Sequence, residues 1–502
     1  MSIAQELTLL KAELLQNLVP QVVEFLTSAL HEALPMHRVE SGLWDLALRL
    51  GRQALSAFLD AHGSGDLGAT LTLPDGQEVV RLEALHSRRY VSIFGEFTLQ
   101  RTVYGSREGQ ALAFVPLDNR LQLPENVFSY VLQDWDQSLA MEQAFGQVSQ
   151  TIQRMLKLRQ SVDTLEGMNR QMAVDVGWFR ELQVTPPPAE EGPIVVTTAD
   201  CKGIVIRGQG SPTVCGGQRP AGQRANQKRM AAVGAVYTVA PYVRTAAEVV
   251  AALFQDPDYQ PRPRPQPRHK HVWASLPVTE PKPCRSIDVV FTWLQWEFAQ
   301  RNPGLQRPSV RLCDGQEALW LACEQYLPDA NAVDILDLLH VTPRVWEAAK
   351  LLLGARSADV VPFVRQRLTQ ILEGKVVTVI RGLRRQAAER GLRGARKKSL
   401  TRICKYLSKN RSRMRYDEYL HQGYPIASGV IEGACRHLIK DRMERAGMHW
   451  TPEGAQAMLD LRSIHIGGHW EAYQSYRIER EIQRLYPQRE LVAGEAFFAL
   501  AA

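Results

Sequence analysis

The sequence has 502 residues, of which 45% are hydrophobic and 23% charged, as expected for a soluble globular protein of more than one domain. No apolar run reaches the ~18 residues of a membrane-spanning helix, and seven scattered cysteines without a Cys-x-x-Cys pair indicate a reduced, cytoplasmic chain without structural zinc. The net charge of +7 is unevenly distributed, because residues 375–415 hold fifteen Lys or Arg and one acid, so this block carries +14 and the remainder −7.

Residues 1–185 are predicted to form a mainly helical N-terminal domain with a β-hairpin. Residues 1–85 carry apolar side chains at spacings of three and four, which is typical of amphipathic helices. Tyr90–Tyr104 alternates between apolar and polar residues around Gly95 and Glu96, which predicts the hairpin.

Helical spacing returns over residues 125–180. Ser161 is predicted to cap a helix that runs to Met172. Helices of this length suit either a helix-turn-helix module that binds DNA ends or a small helical bundle. The run from Pro186 to Glu191, with three prolines and two acids, predicts a semi-rigid linker to the next domain.

The next region, residues 190–354, alternates strand and helix patterns. Three consecutive strands are predicted at Ile194–Ala199, Gly203–Arg207 and Met230–Val239, with a tight turn at Cys201-Lys202. Helices and two further strands follow, the fourth strand ending at Asp314 and the fifth spanning Val333–Leu338. The order β-β-β-α-β-α-β-α predicts an α/β catalytic domain of ribonuclease H-like fold with a mixed five-stranded sheet.

A proline-rich basic segment, Pro257 to Pro283, interrupts this region. Five prolines within residues 257–267 exclude regular structure there. All its excess charge is positive, so it is either a surface excursion or a loop that contacts DNA.

Three acids occupy positions suited to a divalent cation. Asp200 and Asp314 each follow an apolar, β-rich run, and the carboxyl ends of strands are where open α/β sheets bind ligands. Glu432 lies in the first turn of a predicted helix, between Gly429 and Gly433. Each acid alone is equally consistent with an ordinary turn or helix-capping role. Their order, strand, strand and helix, favours a joint metal site.

Between the fifth strand and Glu432 lies a helix-patterned stretch, residues 355–427, that contains the basic block. It is predicted to be a helical insertion, after which residues 428–502 complete the catalytic core. The block is either a solvated helix face or a surface for a polyanion. Its most basic positions give the candidate DNA-binding residues Arg384, Arg385, Arg396, Lys397 and Lys398.

Four segments resemble one known family. They are VTTADCKG (196–203), CDGQEALW (313–320), DLLHV (337–341) and PIASGVIEG (425–433), the last continuing through DRMER (441–445) to Gly447, His449 and Trp450. These motifs resemble the DDE transposases of bacterial insertion sequences, in particular the Kra-type group allied to Mutator-like elements. The resemblance covers roughly residues 85–470. It departs from the family at residues 104–110, which lack the cysteines of a zinc knuckle.

The resemblance implies a site and a reaction. Asp200, Asp314 and Glu432 would be the ligands of two Mg²⁺ or Mn²⁺ ions, and His340 matches a histidine near the family's active site. Arg442 could hold phosphates, although nearby acids would neutralise part of the local charge. Trp450 matches a family tryptophan and would either stack on a base at the transposon end or be an ordinary core residue. The partners would be double-stranded DNA, both terminal inverted repeats and target, and a second copy of this chain. A bacterial, nucleoid-associated location would follow.

Two other functions remain open. A ribonuclease H-like nuclease would cut without strand transfer, and a non-catalytic DNA-binding protein could descend from a transposase. The insertion and the separate N-terminal domain disfavour the first, and the presence of all three acids disfavours the second.

Overall fold

The computed structural model describes residues 20–106, 113–183, 186–187, 189–207, 226–278, 282–445 and 447–493. Its contacts divide the chain into unit 1, Met1–Asp175 with Trp470–Ala502, and unit 2, Val176–His469. The helix pattern predicted for residues 1–19 and the cysteine-free segment at 107–110 lie outside the described ranges. Within those ranges no helix is both long and apolar enough to cross a membrane.

Unit 1 combines helices with two small antiparallel sheets. Its helices are α1, described over residues 20–31, α2 (Met36–Asp60), α3 (Pro116–Leu121), α4 (Tyr130–Glu142), α5 (Phe145–Leu156), α6 (Val162–Ala173) and α19 (Trp470–Leu485). Its strands are β1 (Thr70–Thr72), β2 (Glu78–Arg81), β3 (His86–Ser92), β4 (Gly95–Arg101) and β5 (Tyr104–Gly105). Strands β1, β2 and β5 form one sheet, and β3 and β4 form the other.

The sequence predictions for unit 1 are confirmed in two places and wrong in one. Strands β3 and β4 form the predicted hairpin, with Ser92 paired to Gly95 so that the turn falls at residues 93–94. Ser161 caps α6, since its Oγ accepts a hydrogen bond from the Thr164 amide at 3.1 Å. Helix does not continue through residue 85, because β1 and β2 occupy the segment after α2. A DNA-reading role for α4–α6 stays a prediction.

Unit 2 is built on a five-stranded mixed sheet. Its strands are β6 (Ile194–Arg207), β7 (Asn226–Val239), β8 (Arg268–Ser275), β9 (Ser309–Cys313) and β10 (Val333–Leu336). They lie in the order β8-β7-β6-β9-β10. Strand β7 is antiparallel to both neighbours, whereas β6, β9 and β10 run parallel to one another.

The helices of unit 2 flank this sheet. They are α7 (Val176–Leu182), α8 (Ala246–Phe254), α9 (Ser286–Arg301), α10 (Glu317–Tyr326), α11 (Leu338–Leu353), α12 (Val360–Leu372), α13 (Val376–Glu389), α14 (Gly394–Lys409), α15 (Tyr416–His421), α16 (Gly429–Ala434), α17 (Asp441–Met443) and α18 (Pro452–Ile466). Residues Cys435–Lys440, between α16 and α17, form a π-helical turn.

Two strand predictions are wrong. There is no turn at Cys201-Lys202, because β6 continues without a break to Arg207 and pairs with β7 along its whole length. The third strand is β8, which lies within the segment predicted to be an irregular proline-rich loop. The five-proline run at 257–267 has no helix or strand, as predicted, and β8 begins directly after it.

Both faces of the sheet are covered, so unit 2 has three layers. Alternate residues of β6 point to opposite faces, Val195 into a core shared with α9 and α10 and Val196 into a core shared with α11–α15. The predicted insertion, residues 355–427, is helical, and its buried side chains, such as Leu368 and Leu400, belong to the same hydrophobic cluster as the sheet. The basic block is therefore the outer face of a helical layer that packs on the strands.

The segment predicted as a linker is anchored at its end. The Glu191 carboxylate is buried and accepts hydrogen bonds from the Arg301 guanidinium at 2.6 and 2.9 Å. Thr238 donates a further hydrogen bond to the same carboxylate at 2.5 Å. Because these contacts tie the chain to β7 and α9, residue 191 is already part of the sheet domain.

Candidate metal centre

The register of one parallel strand pair brings Asp200 and Asp314 to the same edge of the sheet. Strands β6 and β9 pair in parallel from Val195 to Ala199, where Ala199 lies opposite Cys313. The next residue on each strand is the acid. Asp200 therefore lies inside β6 rather than at its end, at the first position beyond the pairing with β9, and Asp314 directly follows β9.

His340 reaches the same place from the neighbouring strand. Strand β10 ends opposite Cys313, and Asp337 then caps α11 by accepting a hydrogen bond from the Leu339 amide at 2.8 Å. His340 lies in the first turn of that helix, which begins at Leu338, directly after the strand. One ligand atom from each of Asp200, Asp314 and His340 lies within 4.8 Å of the other two, and all three side chains are half-buried.

Local hydrogen bonds fix the two carboxylates. Asp200 Oδ1 accepts from the Cys201 amide at 2.7 Å, and Asp314 Oδ1 accepts from the Gln316 amide at 2.7 Å. These two bonds leave Oδ2 of each carboxylate free of backbone amides. Asp200 Oδ2 lies 3.6 Å from the Cys435 thiol.

The electrostatics of the cluster favour a cation. Burial raises the pKa of Asp314, and the neighbouring Asp200 carboxylate raises it further. The pKa of His340 is also raised, first by its interaction with Asp337, whose Oδ2 lies 3.6 Å from His340 Nδ1, and then by the charges of Asp200 and Asp314. Two carboxylates this close repel by ~3–4 kcal/mol at an effective dielectric of 20. A bound cation would remove that repulsion.

Glu432 lies near this cluster but is not part of it. The helix that carries it, α16, begins beside β6, because Ser428 caps the helix and its Oγ lies 3.1 Å from Thr198 Oγ1. Cys435, which contacts Asp200, is three residues after Glu432 and so on the same side of the helix. The Glu432 side chain is exposed, and its carboxylate is not among the ligand atoms within 4.8 Å.

The helix after Glu432 changes to π geometry over Cys435–Lys440. The buried guanidinium of Arg462 donates hydrogen bonds to the backbone carbonyls of His437 and Leu438 in this turn, the second at 3.0 Å. Single π turns are frequent at functional sites, since they redirect the side chains around them. The sequence pattern did not predict this turn.

The candidate DNA-binding residues fall into two groups. Five are exposed on α13 and α14 and are called the basic surface below: Arg384, Arg385, Arg396, Lys397 and Lys398. Within this group Arg385 forms an ion pair of 3.5 Å with Glu389, and Arg396 donates to the Leu351 carbonyl.

The other two, Arg442 and Trp450, are buried. The Trp450 backbone pairs with β6, its indole N–H donates to the Met443 carbonyl at 3.2 Å, and the Arg442 guanidinium lies 5.1 Å from the centre of its ring. An indole enclosed in this way does not present a face to a base. The structure therefore favours the interpretation of Trp450 as a core residue, and it places Arg442 in the interior beside that indole.

Two residues that the sequence analysis missed complete the surroundings of Asp314. Arg344 lies one helical turn after His340 on α11, and its guanidinium carbon is 3.6 Å from the centre of the Tyr406 ring. Tyr406, on α14, packs against the backbone at Gly315. The spacing of four residues after His340 is a signal that could have identified Arg344. Nothing local in the sequence connects Tyr406 to Asp314.

Comparison with known proteins adds little. No protein-family model and no curated protein matches the sequence. Among solved structures, the chain is similar to the Drosophila P element transposase strand transfer complex, with 8% sequence identity, a TM-score of 0.24, and 74% of this chain and 85% of that chain covered. A TM-score at this level is too low to establish a common fold.

Proposed function

We propose that this chain is a metal-dependent enzyme that cuts and rejoins DNA, a transposase of an insertion sequence. The observation that carries the proposal is the meeting of Asp200, Asp314 and His340, which come from three separate segments, at one edge of the sheet. The strand order, with only β7 antiparallel, is also the mixed arrangement expected of a ribonuclease H-like sheet.

The residues present fit a hard divalent cation. Two carboxylates with available oxygens suit Mg²⁺ or Mn²⁺, and the imidazole is a better ligand for Mn²⁺ than for Mg²⁺. Asp200 and Asp314 would hold such ions, with Glu432 as the third carboxylate that the family resemblance implies. The bound ions would lower the pKa of water at the scissile phosphate and stabilise the leaving 3′ oxygen.

The chain's own residues perform the remaining tasks. The amides of Cys201 and Gln316 hold one oxygen of each carboxylate in place, so that the other is oriented toward the edge. The Asp337 carboxylate interacts with His340 Nδ1 and keeps the imidazole oriented. The basic surface on α13 and α14 would hold the phosphate backbone, since Arg385 with Glu389 is the one ion pair that its five residues form within the described ranges.

The test is nicking and strand transfer on DNA that carries the ends of the element. Wild type should nick only with Mg²⁺ or Mn²⁺ and should join pre-cut 3′-hydroxyl ends to target DNA. Asp200→Asn and Asp314→Asn should each lower the rate by at least ~100-fold, because each removes a metal-binding charge. Asp359→Asn is the matched control, since Asp359 is exposed at the start of α12, away from the sheet edge.

The results separate the proposal from its rivals. Cleavage without joined product would instead indicate a nuclease that lacks strand transfer. Equal nicking by wild type and Asp200→Asn would show that the candidate metal centre is not the active site. DNA binding without any metal-dependent nicking would indicate a non-catalytic DNA-binding protein.

A further inference from the structure

Two buried polar atoms close to Asp314, Arg344 Nε and the Tyr406 hydroxyl, have no hydrogen-bond partner within the described part of the chain. Buried polar groups are almost always paired, with protein, water or a ligand. Two such atoms on neighbouring side chains beside a cluster of acids therefore point to a polar ligand that completes the site.

Arg344 is the cation among these groups, and its position is fixed. It lies four residues after His340 on α11, which places both on the same face of the helix. Its guanidinium stacks on the Tyr406 ring at 3.6 Å. The ring in turn is held against Gly315, where an added Cβ would lie only 2.1 Å from Tyr406 Cε2. The stack is thus attached to the loop that carries Asp314.

Arg344 differs in its partners from Arg301 and Arg311, two other inward-facing arginines of unit 2. Arg301 pairs with Glu191 and Arg311 with Asp334, each at 2.6 Å. Arg344, by contrast, has no carboxylate within 4.0 Å in the part of the chain that the structure describes. The positive charge of Arg344 acts on the Asp314 carboxyl. Burial raises the pKa of that carboxyl, and the Arg344 cation opposes the rise. A half-buried, unpaired guanidinium beside metal ligands has the chemistry of an anion site.

We propose that Arg344 and the Tyr406 hydroxyl form a phosphate-binding subsite next to the metal ligands. The inference rests on the proposed function and names the group that the site would bind, a phosphate whose non-bridging oxygens accept hydrogen bonds from Arg344 Nε and Tyr406. Guanidinium donors match phosphate in geometry and form charge-assisted hydrogen bonds. Neither residue forms a covalent bond or transfers a proton. Tyr406 also holds the guanidinium against its ring, with the guanidinium carbon 3.6 Å from the ring centre.

The subsite can be tested without DNA cleavage, with Mn²⁺ and inorganic phosphate as probes. Electron paramagnetic resonance measures Mn²⁺ binding to the full chain, and ³¹P relaxation measures whether phosphate binds close to that ion. Wild type should bind Mn²⁺ and should shorten the ³¹P relaxation time of phosphate. Arg344→Gln should retain Mn²⁺ affinity within about threefold and weaken phosphate binding about 10- to 100-fold, the range expected for a lost charge-assisted hydrogen bond.

Three further variants make the result specific. Arg344→Lys keeps the charge without the planar donors and should weaken phosphate binding less than Arg344→Gln does. Tyr406→Phe keeps the ring and should lose a few-fold in phosphate affinity, about the effect of one neutral hydrogen bond. Arg356→Gln, an exposed arginine just beyond the same helix, should behave as wild type.

The possible failures point to different errors. Absence of Mn²⁺ binding in wild type would refute the metal centre and, with it, both proposals. Mn²⁺ binding with the same phosphate relaxation in wild type and Arg344→Gln would overturn the subsite alone. Thermal melting of each variant shows whether it is folded, and a folded Arg344→Lys keeps the test decisive if Arg344→Gln unfolds.

Discussion

Gly315 is the position at which a single methyl group should disturb the metal centre most. An alanine Cβ there would lie 2.1, 2.6 and 2.7 Å from Cε2, Cζ and the hydroxyl of Tyr406, all shorter than real contacts of a Cβ atom. The ring cannot simply rotate away, since the Arg344 guanidinium covers its face at 3.6 Å. Either the ring or the Asp314 loop must therefore shift. Overpacking of this kind costs ~1–3 kcal/mol.

Urea unfolding and metal-dependent nicking together measure this effect. Gly315→Ala should lower the free energy of unfolding by ~1–3 kcal/mol and should also slow nicking, because Asp314 is the preceding residue. Replacing Tyr406 by Leu in the same chain should recover part of the stability, which gives a positive coupling in a double-mutant cycle. Tyr406→Phe should recover less than Tyr406→Leu, since it removes the hydroxyl contact at 2.7 Å but keeps the two closer contacts with ring carbons.

Gly382 supplies the matched control. It lies within α13, and an added Cβ there meets only an Arg367 nitrogen, at 4.0 Å. Gly382→Ala should be neutral or stabilising by up to ~1 kcal/mol, because alanine restricts the unfolded chain and favours helix. If Gly315→Ala were as stable and as active as Gly382→Ala, the close packing of Tyr406 against the Asp314 loop would be incorrect.

Two further predictions concern the surface and the interior. If the basic surface contacts about six phosphates, the logarithm of DNA affinity should fall with the logarithm of salt concentration at a slope near −5. Replacing Arg384, Arg385, Lys397 and Lys398 by Gln should make this slope shallower by roughly 3–4. An unchanged slope would show that these side chains are only solvated. In unit 1, burial raises the pKa of Asp136 to about 7, against a hydrogen bond from Gln160 that lowers it. Because the folded chain holds this proton more tightly, its contribution to stability is complete below the ordinary value of 3.8 and is lost as pH rises through about 7. Urea unfolding at pH 5 and pH 8 should show a loss of ~2.6 kcal/mol from this group in wild type and a smaller loss in Asp136→Asn.

The positions of Asp200 and Asp314 could be predicted because local sequence encodes them. Strand β9 is a short, buried apolar run, so the acid after it marks its end correctly. The same reasoning placed Asp200 at a strand end, and there it was wrong. Strand β6 continues past Asp200 because β7 pairs with it as far as Arg207, and this partner overrides the local turn pattern of Cys201-Lys202-Gly203. The prediction still placed the acid at the correct edge, where the pairing with β9 stops.

Other features of the site depend on contacts that sequence order does not encode. Tyr406 approaches Asp314 only because α14 packs over the sheet, and the residue that permits the approach, Gly315, looks like an ordinary turn glycine. A tryptophan can either stack on a DNA base or fill a hydrophobic core, so the residue type of Trp450 does not indicate which role it has. Its burial depends on a backbone pairing with Ile206, which no local pattern announces.

Whether a site residue could be predicted from the sequence depends on the element that carries it. Strand register brings Asp200 and Asp314 together, and His340 joins them from the first turn of the helix that follows the neighbouring parallel strand. Glu432 comes from a helix whose two ends contact β6 through the side chains of Ser428 and Cys435. Its carboxylate is one turn from the contact with Asp200 and is exposed. Without a cation, the Asp200 and Asp314 carboxylates repel the Glu432 carboxylate from the site. A bound divalent cation would attract it instead. The third carboxylate of the proposed site is therefore the one whose position should depend most on bound metal.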